Sequence, residues 1–211
     1  SFFDLMTGGI FVISSAHAQT YLRQAVQSNP GPWEQHSFSV ADNAKRIAQK
    51  AGLDAKTAYV MGLLHDIGRG AGVSGIRHIF DGYDLMTSLG EPEIARICLT
   101  HSFPSKDIRT YAGKIDCTQA HLTFLQDFLN SYSYDDYDLL IQLCDAISLP
   151  NGACILEKRL VDVALHHGVT EHSIDKWKAF MQVKKHFDQL CGCSIYSLLP
   201  NVLENSSVDL I

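Results

Sequence analysis

Two side chains able to hold a metal stand next to each other in Leu63-Leu64-His65-Asp66-Ile67-Gly68-Arg69, where an apolar helical run breaks into glycine. Adjacent helical positions point about 100° apart, so this imidazole and carboxylate share no helix face. They can still meet at one ion beside the last turn, His65 through nitrogen and Asp66 through oxygen. A second carboxylate, Asp145, interrupts the apolar run Leu139-Leu140-Ile141-Gln142-Leu143-Cys144-Asp145-Ala146-Ile147. Burying it unpaired is costly, so it is expected to be protonated, paired with a cation or bound to metal. His36, His78 and His101 each fall on the apolar stripe of a different expected helix. One histidine so placed is ordinarily a hydrogen-bonded core residue. The same placement on successive helices, beside two carboxylates, points to one shared centre. Mixed His and Asp donors suit Fe, Mn, Zn, Co or Ni better than Ca or an all-oxygen Mg site.

The elements that must carry these residues read as helices, with strand-type alternation nearly absent. A first helix is expected over 16–28, stopped by Asn29-Pro30-Gly31-Pro32. A second runs from Trp33 to Gly52, with Val40, Ala44, Ile47 and Ala51 on one stripe that His36 extends. Asp54 caps a third, over 55–67, where Ala58, Met61 and Gly62 line up with His65. The segment 68–75 spells G-x-G-x-x-G but follows a helix instead of a strand, so it is read as a loop and not as a dinucleotide fingerprint. A fourth helix, 77–89, puts His78 with Gly82, Leu85 and Met86. A fifth, opened by Pro92, sets His101 on the stripe of Ile94, Ile97 and Cys98. After a polar loop at 102–113 come helices at 118–130 and through 139–147, the latter ended by Pro150-Asn151-Gly152. Two more, at 153–167 and 173–191, complete an all-α domain spanning 1–211. The polar tail from Asn201 is expected to fray.

A chain of 211 residues with net charge −6 offers no basic footprint for duplex nucleic acid or an anionic membrane. A small anionic substrate stays possible where positive charge is local or supplied by metal. The six cysteines show no disulfide-framework spacing, which suits a reducing cytoplasm. Residues 5–13 are apolar and Ala16-His17-Ala18 imitates a cleavage site, but no Lys or Arg precedes Arg23, so a signal peptide is not expected. No run reaches the roughly 18 apolar residues of a spanning helix.

His36, then His65-Asp66 within an H-D-I-G, then Asp145 resembles the H…HD…D signature of the HD-domain metal-dependent phosphohydrolases, over about 33–150. The resemblance implies a helical bundle in which His36, His65, Asp66 and Asp145 hold a first metal, with 151–200 as a helical extension. His78 and His101 resemble the extra histidines of the binuclear branch, which hold a second metal while the HD aspartate bridges. That branch includes diadenosine-tetraphosphate hydrolases and cyclic-dinucleotide phosphodiesterases. The chain lacks the G-Y-P motif of the latter, although Gly82-Tyr83 comes close. The expected activity is hydrolysis of a phosphate ester or anhydride, of a nucleotide above all, by water activated on one or two transition-metal ions.

Arg69, at the start of the glycine-rich segment, is the candidate for gripping a substrate phosphate, against the plainer role of a charge complementing the helix dipole. Arg77 and Arg23 are weaker candidates. His166-His167 reads as a helix C-terminal pair, residues 157–159 as a solvated face, and Tyr132 to Tyr137 as a loop packing on the bundle. Two alternatives share the ligand set or the fold: an HD-type diiron oxygenase, and a non-catalytic metal-binding module.

Overall fold

The computed structural model describes residues 10–209. The first half of the apolar N-terminal stretch read for a signal peptide lies outside these residues. Helix α1 (Ser15–Ser28) starts where the Ser14 side chain accepts from the His17 backbone N–H. Helix α2 (Trp33–Ala51) ends at Gly52, which adopts φ 80°, a left-handed conformation that glycine takes without strain. Helix α3 (Ala55–Leu64) is capped by Asp54, whose carboxylate accepts from Thr57 N–H at 2.7 Å.

The expected third helix ran to residue 67, but the α conformation stops at Leu64. A 3₁₀ turn, Ile67–Ala71, takes up the first half of the segment read as loop. Packing explains the early tightening. A Cβ on Gly68 would stand 1.9 Å from the His78 carbonyl oxygen, so the chain passes helix α4 (Arg77–Ser88) in backbone contact that only glycine allows. Gly62 does the same against α2, where a Cβ would meet Ala41 Cα at 2.9 Å.

Helix α5 (Pro92–Thr100) has proline in its first turn, and α6 (Gln119–Ser131) and α7 (Asp136–Ile147) each open on a capping box. Residues 148–153 form a two-residue antiparallel pair, β1 (Ser148–Leu149) with β2 (Gly152–Ala153). Helix α8 (Leu156–His167) therefore begins three residues later than its expected start. Helix α9 (Ser173–Cys191) lays Phe180, Val183, Phe187 and Cys191 into the same apolar cluster as α2, α3 and α7.

Through residue 209 the tail does not fray. Residues Val202–Ser206 form a short helix α10, Val202 is buried, and the Asn205 side chain donates to the Ala153 carbonyl at 2.9 Å. That polar stretch satisfies one backbone carbonyl of the small β pair and the N–H of Ile155 just after it, long-range partners its composition did not reveal. The tyrosine-rich loop packs on the bundle as expected: Tyr134 donates to Phe103 O at 2.7 Å, and Arg96 lies over the Tyr132 ring at 5.2 Å. Beneath it, fully buried Asp138 accepts from Arg96 Nη1 at 2.5 Å and Thr100 Oγ1 at 2.8 Å. None of the six cysteines is in a disulfide. Among the described residues, no helix is long and apolar enough to cross a membrane.

Candidate metal centre

Five helix ends converge on one point. Helix α2 brings His36 from its first turn, α3 ends at His65 with Asp66 next in the chain, and α4 opens on Arg77-His78. His101 caps the C-terminus of α5, and Asp145 stands in the last turn of α7. His36 Nε2 lies 3.0 Å from Asp145 Oδ1, and His65 Nε2 lies 3.6 Å from that oxygen and 3.8 Å from Asp66 Oδ2. Across Asp66, its Oδ1 is 3.1 Å from His78 Nε2 and 3.5 Å from His101 Nε2. The donors fall into overlapping groups whose atoms lie within 4.8 Å of one another: His36–His65–Asp66, His65–His101–Asp145 and Asp66–His78–His101. All six ligands expected from the sequence are thus brought together.

The ring nitrogens facing away from the centre explain what the inner ones can do. His65 Nδ1 lies 2.7 Å from Gly62 O, His78 Nδ1 2.6 Å from Gly75 O, and His101 Nδ1 3.2 Å from Ile97 O. A carbonyl only accepts, so each Nδ1 carries a proton and each ring turns its Nε2 inward, where the neutral form offers a lone pair. The Nε2 atoms of His65 and His78 and the Oδ1 of Asp66 are buried without a hydrogen-bond partner. His78 Nε2 and Asp66 Oδ1 face each other at 3.1 Å without hydrogen-bond geometry. Buried acceptors arranged this way are satisfied by a cation, so the residues fit a metal.

Charge is distributed accordingly. Burial pushes the Asp66 carboxyl up, but Arg69, His65 and His78 override it and hold it well below the ordinary range. Asp145 is likewise held low against burial by His36 and His65. Burial works to discharge His65, which Asp66 and Asp145 nevertheless keep above its usual value. His101 is pushed down to about 3 by burial and by the neighbouring His65, so it stays neutral.

Arg69 does more than the sequence suggested. Its Nε lies 2.5 Å from Asp66 Oδ2, on the carboxylate oxygen opposite His78, while Asn29 Nδ2 donates to its carbonyl at 2.7 Å. Arg77 pairs with Asp81 and Arg23 bonds Gln19; neither lines the cleft over the centre.

That open cleft, of about 1160 Å³, is bounded by residues the sequence placed elsewhere. Ser102 and Tyr111 line it, the Tyr111 phenol pushed up to about 12 by burial against the Arg69 charge. So do Arg159, on the face expected to be solvated, His166 and His167 of the helix C-terminal pair, and Lys176 of α9. One signal was available: Lys176 continues the apolar stripe of Phe180, Val183 and Phe187 at helical spacing.

Comparison with curated proteins and with solved structures finds no match. A family model, the HD domain, matches residues 33–149, the stretch from the helix that carries His36 to just beyond Asp145. More than half of the chain is covered and the converging His and Asp side chains all lie inside the match, so the chain belongs to the HD-domain family.

Proposed function

We propose that the protein is a metal-dependent phosphohydrolase of the HDIG type that cleaves a phosphate ester or anhydride, with nucleotides as the substrate class. The family consists mostly of metal-dependent phosphohydrolases. In this reading His36, His65, Asp66 and Asp145 hold a first divalent transition-metal ion. Asp66, His78 and His101 hold a second, Asp66 being shared. The observation that carries the reading is the set of buried, unpartnered inward atoms, His65 Nε2, His78 Nε2 and Asp66 Oδ1, backed by histidines whose Nδ1 protons are already committed to backbone carbonyls.

When bound, such ions lower the pKa of a coordinated water and polarise a phosphoryl oxygen. The protein's part is positional. Three carbonyls fix the rings of His65, His78 and His101, so little reorganisation is left for the reaction. Arg69 holds Asp66 in one orientation through Nε, and its partly exposed guanidinium leaves the terminal nitrogens for a phosphate in the cleft. Tyr111 keeps its proton at neutral pH and offers a donor on the same wall.

The test is metal content per chain, by element, on protein purified without chelator, followed by a panel of phosphomonoesters, phosphodiesters and nucleotides assayed without oxygen. Transition metal bound together with anaerobic turnover supports the proposal. Metal-loaded protein inert on the whole panel would sink it, and substrate-dependent oxygen uptake would assign the centre to a diiron oxygenase instead.

A further inference from the structure

Beside the metal centre, Asp145, Ser102, Arg159, Val163 and Lys176 are shared between the cleft and a smaller chamber of about 130 Å³. The chamber lies between α8 and α9 and is walled by Leu160, Val163, Val169, Trp177 and Phe180. Both helices lie beyond the residues that the HD family model matches. We infer that α8 and α9 are the substrate-recognition wall of this enzyme, with Lys176 binding a phosphate and the chamber behind it seating one ring-sized organic group. The inference rests on the phosphohydrolase reading and adds to it what the substrate carries besides phosphate.

Charge accounting singles out Lys176. Among the cations along the cleft, Arg69 is engaged by Asp66 and Arg159 by Asp162. Lys114 stands exposed on a loop. Lys176 is partly buried on a helix, and among the described residues its ammonium makes no hydrogen bond or ion pair; its one described side-chain contact is the Phe180 ring, 5.9 Å away. Burial pulls its pKa down to about 8, with Asp145 acting the other way. An ammonium drawn out of water with no anion in contact is relieved by an anionic ligand. Its position shared with Asp145 puts that anion beside the metal centre.

Size and lining set the remainder of the ligand. A dry apolar cavity of about 150 Å³ takes up a benzene ring. A chamber of about 130 Å³ with indole, phenyl and branched aliphatic walls, and with Thr110 and Ser173 among them, therefore suits a single ring that carries polar groups at its edge, such as a pyrimidine or a substituted phenyl, better than a purine or a bare polyphosphate.

Phenylphosphonate and methylphosphonate test this, because their P–C bonds resist hydrolysis. On wild-type protein loaded with Mn²⁺, calorimetric titration should show phenylphosphonate binding about tenfold or more tightly than methylphosphonate. Lys176→Met removes the charge with little change of side-chain length and should weaken both ligands about tenfold or more, and Lys176→Arg should restore most of that loss. Val163→Trp, at a half-buried position, should weaken phenylphosphonate alone. Equal affinity for the two ligands would overturn the chamber, and a Lys176→Met protein that binds like wild type would overturn the phosphate role. Turnover of phenyl phosphate separates the two readings. Lys176-dependent phosphonate binding without turnover would end the hydrolase proposal and leave the wall standing. Turnover with KM and kcat untouched by Lys176→Met would end the wall alone.

Discussion

Arg69 Nε lies 2.5 Å from Asp66 Oδ2, while Asp66 Oδ1 faces His78 Nε2 at 3.1 Å on the other side. The HD aspartate thus stands between the permanent cation of Arg69 and the inward-facing Nε2 of His78, and Arg69 sets its orientation. Arg69→Lys tests this better than Arg69→Ala, because a lysine keeps the charge but cannot dock a planar Nε–H while leaving further donors for substrate. Its kcat/KM on the best phosphoester should fall about 10- to 100-fold, as when an orienting partner of a metal ligand is lost. Wild-type kinetics in Arg69→Lys would reduce the residue to a point charge.

Asp66→Ala should lose bound metal and turnover together, since Asp66 belongs to two of the three donor groups. His78→Ala removes a ligand from one group only and should lower the metal count by about one ion per chain while leaving the His36–His65–Asp145 side occupied. Elemental analysis of both proteins, with circular dichroism to confirm helix content, checks the assignment. An unchanged count in His78→Ala would make the centre mononuclear.

Gly68→Ala would place a Cβ 1.9 Å from the His78 carbonyl oxygen and 2.4 Å from Gly82 N, both backbone atoms. Helix α4 must move, and His78 moves with it. Thermal unfolding should show a loss of about 1–3 kcal/mol, typical of overpacking, together with weaker metal retention. A variant as stable and as metal-rich as wild type would contradict the tight passage of this loop.

The metal-free protein should lose stability as pH falls from about 6.5 towards 3. Unfolded histidine titrates near 6.5, whereas folded His101 is held down to about 3. Between these values the unfolded chain binds a proton that the folded chain refuses, which favours unfolding. His65, raised in the fold, works in the opposite sense: its contribution is present below about 6.5 and fades as pH rises past its folded value. Comparing wild type with His101→Gln by denaturant titration across this window isolates the effect, and parallel curves would rule it out.

Arg96→Leu should destabilise the fold without touching the centre. It leaves Asp138, fully buried and already pushed up to about 6 by burial against the Arg96 charge, without its cation. Breaking a buried pair from one side costs about 3–5 kcal/mol. Replacing Asp138 as well, in Arg96→Leu/Asp138→Asn, should recover part of this in chemical denaturation. No recovery would mean that Arg96 acts through Glu93, Asp135 and Tyr132 instead.

What the sequence determined by itself was most of the helices and which His and Asp side chains come together. Helix caps, glycine stops and 3.6-residue periodicity are local, so His36, His65, His78 and His101 could be assigned to helices and faces from spacing alone. Asp145 stood out for the same reason, as a charge in an apolar run. Tertiary structure decided how those helix ends meet. Backbone contact at Gly62 and Gly68 draws α2, α3 and α4 together, and carbonyls at Gly62, Gly75 and Ile97 choose which ring nitrogen faces inward. Long-range placement also decided where the last sixty residues sit. The docked α10, the Arg69–Asp66 pair and the chamber that Lys176 and Asp145 line together depend on partners distant in the chain or on side-chain direction, which periodicity does not encode.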